Sequence, residues 1–487
     1  MTCRCLSYDI NVRAIVESHC GRKCNRFYIG IPIGVQAISR VDEMNIIVVG
    51  AGRVGFTIAE VLSEFHNVLV IDSDKEAVEQ IKRLNVSVLH EDGASPRTLE
   101  DAFSRHSPHV VISTTERDDI NLFISMLTKY IRPGTRTVAR ITNPEYMVNT
   151  SESMVDHVFS PEMIIANKMA ELALLENAMD YESIESMDMG LAIFEVTPEH
   201  GQIIGKVIIN LPIPPDCTVV CLYRDEEIII ENETVEIHPH DRICVIGNPE
   251  AIHKFNEMMG ILRDAMEFVI IGGGVSGIQT ARLLSSKNRY VKVIESNPEK
   301  CSKLARELSN VTVLNGSGID PHMLKEVNVS RADVLIANTS KDETNLLSCL
   351  MGMKLGTSKI ISRYSMIEYE DIFDITGINT AIGAHRIVAN EITKMLVSDE
   401  DSILKMKHKG EMFFSVNVTA GVKICNERLG DIRMPEGARI VCIIRGEMKI
   451  YPNIDTKIIE GDKVLLFTYN VNIRKLERQV GHINIKV

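Results

Sequence analysis

The sequence predicts an α/β protein: two tandem doubly wound parallel-sheet domains, each followed by a small β-rich α+β lobe. Three observations carry that expectation. Val/Ile-rich runs alternate with helical segments over 44–180 and again over 266–397, the pattern of βαβ units. The runs "NIIVVG", "NVLVID", "VVISTT" and "TRTVARI" are apolar nearly throughout, as strands covered by helices on both faces must be. The chain also repeats itself. "IIVVGAGRVGFTIAEVLSEFHNVLVIDSD" from Ile46 returns as "FVIIGGGVSGIQTARLLSSKNRYVKVIESN" from Phe268, and "FSPEMIIANKMAEL" returns as "IGAHRIVANEITKM". The offset stays between 222 and 225 residues, a register that marks duplication.

The elements follow in order. Residues 1–43 differ in composition from the rest and read as an N-terminal extension, a dispensable tail or the product of an upstream start codon, since Met44 directly precedes the first strand. Cys3, Cys5, Cys20 and Cys24 with His19 lie there, but C-x-C followed by H-C-x3-C matches no usual pair of zinc knuckles. The first doubly wound domain occupies 44–180 and the first small lobe 188–265; the second pair occupies 266–397 and 409–487. In each small lobe short alternating strands are split by turn signals, and "RDEEI" and "RGEMKI" read as hairpin turns. The joints "LENAMDYESIESMDM" and "VSDEDSILKMKHKG" are acidic and polar, and read as exposed.

Composition narrows the function. A formal charge of -13 and the lack of any basic run interleaved with aromatics argue against a nucleic-acid partner. Apolar runs are far shorter than the roughly 20 residues needed to span a bilayer. Cys217, Cys221, Cys244, Cys301, Cys349, Cys425 and Cys442 are scattered through apolar segments, which reads as reduced, buried thiols.

The glycine loops carry the chemistry. Gly50 permits the tight turn out of the first strand, Gly52 lets a pyrophosphate approach the backbone, and Gly55 lets helix and strand pack closely. Arg53 and Val54 open the helix whose amides point at the anion. Asp72 ends the next strand 22 residues after Gly50, the position of a carboxylate that bonds a ribose diol and disfavours a 2′-phosphate, so NAD(H) is expected over NADP(H). Gly272, Gly274, Gly277 and Glu295 repeat the arrangement. Asp92 stands where it would reach the adenine side, and its counterpart is Ser317, so the two sites should differ. Thr115, Asp118 and Asn121, repeated as Thr339, Asp342 and Asn345, follow the fourth strand, where ligands of such sheets sit; Asp118 and Asp342 also read as caps of the next helix. Asp74 and Asn297 read as helix N-caps.

With "GAGRVG" and Asp72, "T-x-x-D-D-x-N" from Thr115 to Asn121, "VAR" ending at Arg140, "SPE" from Ser160 to Glu162, two β-rich lobes and the doubling itself, residues 44–487 resemble the peripheral NAD-binding subunits of Trk potassium-uptake systems. These are built from tandem RCK units, each a Rossmann-like lobe (KTN) followed by a small TrkA-C lobe. The second copy departs at "SPE", which is Gly383-Ala384-His385. The resemblance implies a cytoplasmic regulatory protein, peripheral at the inner face of the cell membrane. It would gate a membrane-embedded potassium transporter in response to NAD(H), with ATP or ADP as competing nucleotides. It also implies a ring of eight RCK units, closed by four copies of this chain, with Arg140 among the nucleotide-site residues. The duplication itself lets the two doubly wound lobes pair about a pseudo-twofold axis, with helix surface around Met163, Ile164 and Met169 against Ile387 and Val388.

Two alternative functions remain open to these motifs. An NAD-dependent oxidoreductase needs an acid or base near the hydride acceptor, and no tyrosine here is followed four residues later by lysine. A nucleotide sensor for another cation channel would share every motif above. His238 and His240 in "IHPHDRI" form a candidate metal pair, but the repeat has "IIEGDKV" there, which reads as a turn. The Met-rich helix beginning at "SPEM" reads either as a partner face or as a packing face.

Overall fold

The computed structural model describes residues 44–480 apart from short segments at 64–65, 144–145, 148–150, 152–153, 185–186, 226, 231–233, 261–265, 286–288, 379, 397–403, 406–410 and 472. The cysteines and His19 of the N-terminal extension lie outside the described residues. The described residues form one compact body.

In the first repeat β1 (Asn45–Val49), β2 (Asn67–Asp72), β3 (Ser87–His90), β4 (Val110–Ser113), β5 (Arg136–Arg140) and β6 (His157–Phe159) form a parallel sheet in the order β3-β2-β1-β4-β5-β6. The order reverses between β1 and β4, opening a crevice at the strand C-termini. The second repeat copies it with β12 (Met266–Ile271), β13 (Arg289–Glu295), β14 (Val311–Asn315), β15 (Val334–Ala337), β16 (Lys359–Tyr364) and β17 (Thr380–Gly383), in the order β14-β13-β12-β15-β16-β17. The predicted doubly wound class is what the chain adopts.

Each small lobe is an antiparallel sheet. The first holds β7 (Ala178–Ile184), β8 (Met189–Glu195), β9 (Cys217–Arg224), β10 (Glu227–Ile229) and β11 (Arg242–Gly247); the second holds β18 (Leu404–Lys405), β19 (Glu411–Asn417), β20 (Ala438–Arg445), β21 (Met448–Ile450) and β22 (Lys463–Tyr469). Both expected hairpins form, β9–β10 and β20–β21, with Asp225 and Gly446 at positive φ in the turns. The "HPHD" segment is a turn: the His238 amide donates to Asp241, whose carboxylate also takes a two-point bond from Arg224. Asp462 with Arg445 and the Ile459 amide repeats it. The two sheets pack face to face, Leu191, Val220 and Ile246 sharing a core with Phe413, Val441 and Phe467. The seven cysteines from Cys217 onward are free, and all but Cys425 are buried.

The first joint differs from the exposed linker the sequence suggests. Strand β7 begins at Ala178 and belongs to the small-lobe sheet. Its acidic side chains are half-buried because Lys168 pairs with Asp180 and Glu182 at 3.0 Å each, and Lys394 with Glu182 at 2.9 Å.

The terminal helices of the doubly wound lobes are exchanged. One face of the first sheet, Ile47 and Val49, packs against Leu99, Phe103 and Ile124 of its own repeat. The other face, Ile46 and Val48, lies over helix Arg53–Leu62 in a core shared with Val388, Ile392 and Leu396 of helix Ala384–Leu396, from the second repeat. Reciprocally, Phe268 and Ile270 share a core with Met169 and Leu172 of helix Pro161–Leu174, from the first. Ile164 and Val388 share the first of these cores; Met169 lies in the second, with Ile387 packed on it. The Met-rich helix is therefore a packing face between repeats.

Candidate functional site

The first crevice is built at Gly50, where the chain leaves β1 at φ +104, in the region that favours glycine. A Cβ there would lie 3.0 Å from the Thr114 and Thr115 backbone, so β1 and β4 meet here. Gly55 in the next helical turn is tighter still: a Cβ would lie 1.8 Å from the Gly50 carbonyl oxygen. Gly52 is different, with φ -62 and no atom within 4 Å of a Cβ position. Of these three glycines only Gly52 leaves open space where a side chain would stand.

No side chain caps helix Arg53–Leu62, whereas the next helix, Lys75–Ile81, is capped by Asp74, which accepts from the Glu76 amide. The same contrast recurs between helix Val275–Leu284 and helix Pro298–Glu307, the latter capped by Asn297. Uncapped first-turn amides beside open space suit an anion. Asp72 lies across this loop: one carboxylate oxygen accepts from the Ala51 amide at 2.5 Å, the other from Asp74 at 2.7 Å. Its remaining lone pairs are those a ribose diol would use.

The β4 side forms a second cluster. Asn121, fully buried, accepts from the Thr115 amide and hydroxyl at 2.9 and 2.7 Å and donates to the Thr115 and Arg140 carbonyls at 3.0 Å. Asn345 makes the same four bonds to Thr339 and Arg363. These asparagines tie the ends of neighbouring strands together, and their amides have no capacity left for direct contact with a ligand. Asp118 and Asp342 do not cap their own helices either; Arg117 and Lys341 hold those positions. Asp118 accepts from the amides of Thr142 and Asn143, and Asp342 from those of Ser365 and Met366, fixing the loop after β5 or β16. A cleft of about 500 Å³ opens there, lined by Glu116, Asp118, Asp119, Arg140, Thr142, Asn143 and Tyr146. Asp119 belongs to the T-x-x-D-D-x-N motif, whereas Glu116, Thr142, Asn143 and Tyr146 carry no mark in the sequence, since nothing local distinguishes them from loop residues. Asp92 is exposed at the far end of the sheet, turned onto the Ala94 amide at 2.9 Å.

The second crevice has diverged. Gly272 and Gly277 keep the close approach, a Gly277 Cβ falling 2.0 Å from the Gly272 carbonyl, and Gly274 faces open space. Glu295 is one methylene longer than Asp72 and is buried, accepting from the Gly273 and Asn297 amides at 3.0 and 2.7 Å. Glycine at 273, where the first copy has Ala51, makes room for it: a Cβ there would meet the Glu295 carboxylate at 2.8 Å. Val275 stands where the first loop has Arg53.

The repeats meet beside Arg140. Its guanidinium lies 3.9 Å from Glu162, the acid of "SPE". The second repeat has His385 there, and burial pushes His385 down to about 4, with Arg363, Arg53 and Arg140 pushing the same way. Burial also lowers Arg363. Among the described residues Nε of Arg140, Nε of Arg363 and Nε2 of His385 are buried without a hydrogen-bond partner, leaving two guanidinium donors and a neutral imidazole unmatched along the meeting line. Among the described residues no cluster of His, Cys, Asp and Glu has the makings of a metal site, and no helix is long and apolar enough to cross a membrane.

The chain matches known proteins along most of its length. The TrkA-N domain matches residues 46–161 and 268–384, and the TrkA-C domain residues 191–260 and 413–481. A Trk system potassium uptake protein TrkA homolog 1 of Methanosarcina mazei is 30% identical over 439 residues, covering 87% of this chain and 97% of that protein. The Trk system potassium uptake protein TrkA of Halomonas elongata is 26% identical over 456 residues, covering 90% and 99%. Among solved structures, the GsuK RCK domain matches with a TM-score of 0.58 at 15% identity, covering 88% of this chain and 93% of that one. The GsuK channel bound to NAD matches at 0.57 and 16%, covering 90% and 79%. At such identities the structural likeness speaks for the fold alone.

Proposed function

Because the chain belongs to the TrkA family, carrying TrkA-N and TrkA-C domains twice, we propose that it is the nucleotide-binding regulatory subunit of a Trk-type potassium transporter. The observation that carries this reading is the first glycine loop: an uncapped helix N-terminus, open space at Gly52 and Asp72 set across the loop. NAD(H) fits these residues. The amides after Gly52 and the side chain of Arg53 would hold its pyrophosphate, and Asp72 would accept from its ribose. Arg140 and the loop held by Asp118 border the other half of the crevice. Asn121 acts by bracing. The second crevice lacks the arginine and buries its acid, so the first is the principal site, with ATP and ADP as competitors there. The buried guanidiniums of Arg140 and Arg363 between the repeats would meet the negative charge of a nucleotide, so that binding would favour one angle between lobes over another.

That change has to reach a membrane-embedded partner, and assembly supplies the lever. Phe123 and Met126 on helix Asp118–Ile131 are exposed, and so are Leu347 and Leu350 at the matching positions of helix Asp342–Leu355. Apolar residues exposed at equivalent places in both repeats suit contacts between chains, and four chains would close a ring of eight units at the inner face of the membrane. Light scattering is expected to give a homotetramer whose dimensions depend on nucleotide; a nucleotide-insensitive monomer would sink the ring. Steady oxidation of NADH by a defined substrate would instead make it an oxidoreductase.

Calorimetric titration with NADH, NAD, NADPH, ATP and ADP tests the site. Asp72→Ala is expected to weaken NADH binding by about 1–3 kcal/mol, the order for an unmatched polar contact. Equal affinity of the native protein for NADPH and NADH would remove the role given to Asp72.

A further inference from the structure

Strands β5 and β16 begin at equivalent positions, Arg136 opposite Val110 and Lys359 opposite Val334. Both first residues are basic, and both are buried or half-buried at the N-terminal edge of their sheets, away from the crevices. Each reaches into the other repeat. Arg136 Nη2 donates to the carbonyls of Met395 and Leu396 at 3.2 Å, the last turn of the second repeat's terminal helix. Lys359 Nζ donates to the carbonyls of Leu172, Leu175 and Ala178 at 2.7, 2.7 and 2.6 Å, at the end of the first repeat's terminal helix and the start of β7. A helix C-terminus carries unsatisfied carbonyls and partial negative charge, so a cation there is both a donor and a charge partner.

At its other end β5 is tied to the crevice. Asn121 holds the Arg140 carbonyl, and Asp118 holds the next amides, Thr142 and Asn143. Five residues of parallel strand therefore join the nucleotide cleft of one repeat to the helix that leads into the small lobe of the other. The second repeat's grip on β7 is reinforced by Thr380, which donates to the Met179 carbonyl at 3.2 Å, and by Lys394 on Glu182.

We propose that Arg136 and Lys359 are positioning residues that make signalling cross between the repeats, so that nucleotide in the first doubly wound lobe is read out in the second small lobe, and occupancy of the second lobe in the first. This rests on the regulatory reading above. The exchange of terminal helices makes it the mechanically direct route. A β5 end moved by ligand pulls on a helix of the other repeat, whereas the lobe's own terminal helix is gripped elsewhere.

The experiment uses the full chain and hydrogen exchange read by mass spectrometry, without nucleotide and with saturating NADH. In the native protein NADH is expected to change exchange in the small-lobe strands of 411–469 more than in those of 189–247. Arg136→Met should abolish that distant change while NADH affinity stays within about two-fold of native, because the residue lies at the opposite edge of the sheet from the site. Arg136→Lys should restore it, since lysine does the equivalent work at 359. A response confined to the small lobe of the same repeat, or one that persists in a folded Arg136→Met protein, would overturn the crossing and leave the nucleotide reading intact. If Arg136→Met fails to fold, Arg136→Lys and Arg136→Gln compared at matched stability decide it: an equal distant response in the two would overturn the proposal. Absence of NADH binding to the native chain would overturn both readings.

Discussion

Gly55→Ala is expected to destroy the first doubly wound lobe as a cooperative unit. Its Cβ would stand 1.8 Å from the Gly50 carbonyl oxygen and 2.6 Å from the Thr114 hydroxyl, and the nearer neighbour is backbone that cannot turn aside. Relief requires helix Arg53–Leu62 to lift from β1, which opens the core holding Val54, Ile58 and Leu62 against Ile46 and Val48. Because Val388, Ile392 and Leu396 share that core, the second repeat's terminal helix would lose its seat as well. Overpacking commonly costs about 1–3 kcal/mol, and a backbone clash of this size should reach or exceed the upper end. Thermal unfolding followed by circular dichroism should show a large fall in Tm, with Gly277→Ala giving a matching loss in the second repeat. A Gly55→Ala protein that melted and bound NADH like the native one would show that helix and strand do not approach as described.

Gly52→Ala separates packing from binding in the same loop. At φ -62, with no atom within 4 Å, alanine is accommodated without strain, so Tm should stay near native. The methyl group would occupy the space through which a pyrophosphate reaches the first-turn amides. Affinity for NADH should then fall while folding does not.

That contrast also marks how far the sequence could be read. Gly50, Gly52 and Gly55 were legible because turn, approach and packing are local demands that leave fixed spacings. The all-apolar strands and the hairpins at Asp225 and Gly446 were legible for the same reason. Asn121 and Asn345 were not, because a polar side chain after a strand looks the same whether it faces a ligand or ties two loops. A signal was available: the Thr115–Asn121 pair returns unchanged as Thr339–Asn345 although Arg53, Asp72 and Asp92 all changed, which suits a bracing role. The exchange of terminal helices left no mark on the pattern, since helix Pro161–Leu174 buries residues on most of its circumference wherever it docks. The acidic joint looked exposed because its lysine partners sit on other elements: Lys168 on helix Pro161–Leu174, and Lys394, which meets Glu182 across 212 residues.

That joint gives the last expectation: Lys168→Met should be among the most damaging single changes outside the glycine loops. Lys168 is buried at 7% exposure, with its ammonium between Asp180 and Glu182 and donating to the Tyr181 carbonyl. Burial pushes Glu182 up, but Lys168 and Lys394 overcome it and hold the carboxyl down at about 2. Removing Lys168 leaves Glu182 with Lys394 alone and strips Asp180, which is partly solvated, of its partner, so the loss should fall below the ~3–5 kcal/mol of a fully uncompensated buried charge, and removing both partners should cost less still. The double variant Lys168→Met with Glu182→Gln should therefore recover a substantial part of the loss, since glutamine can still accept from Lys394. Acid provides an independent check. A carboxyl whose folded pKa is depressed adds stability that is present above its ordinary value of 4.5 and lost as pH falls toward 2, because the unfolded chain takes up the proton first. Denaturant unfolding of the native protein should weaken over that interval, and Lys168→Met should show a shallower slope because part of the depression is gone. A single variant as stable as native, or a double variant no better than the single, would mean that the Lys168 pairs do not hold β7 to the two terminal helices.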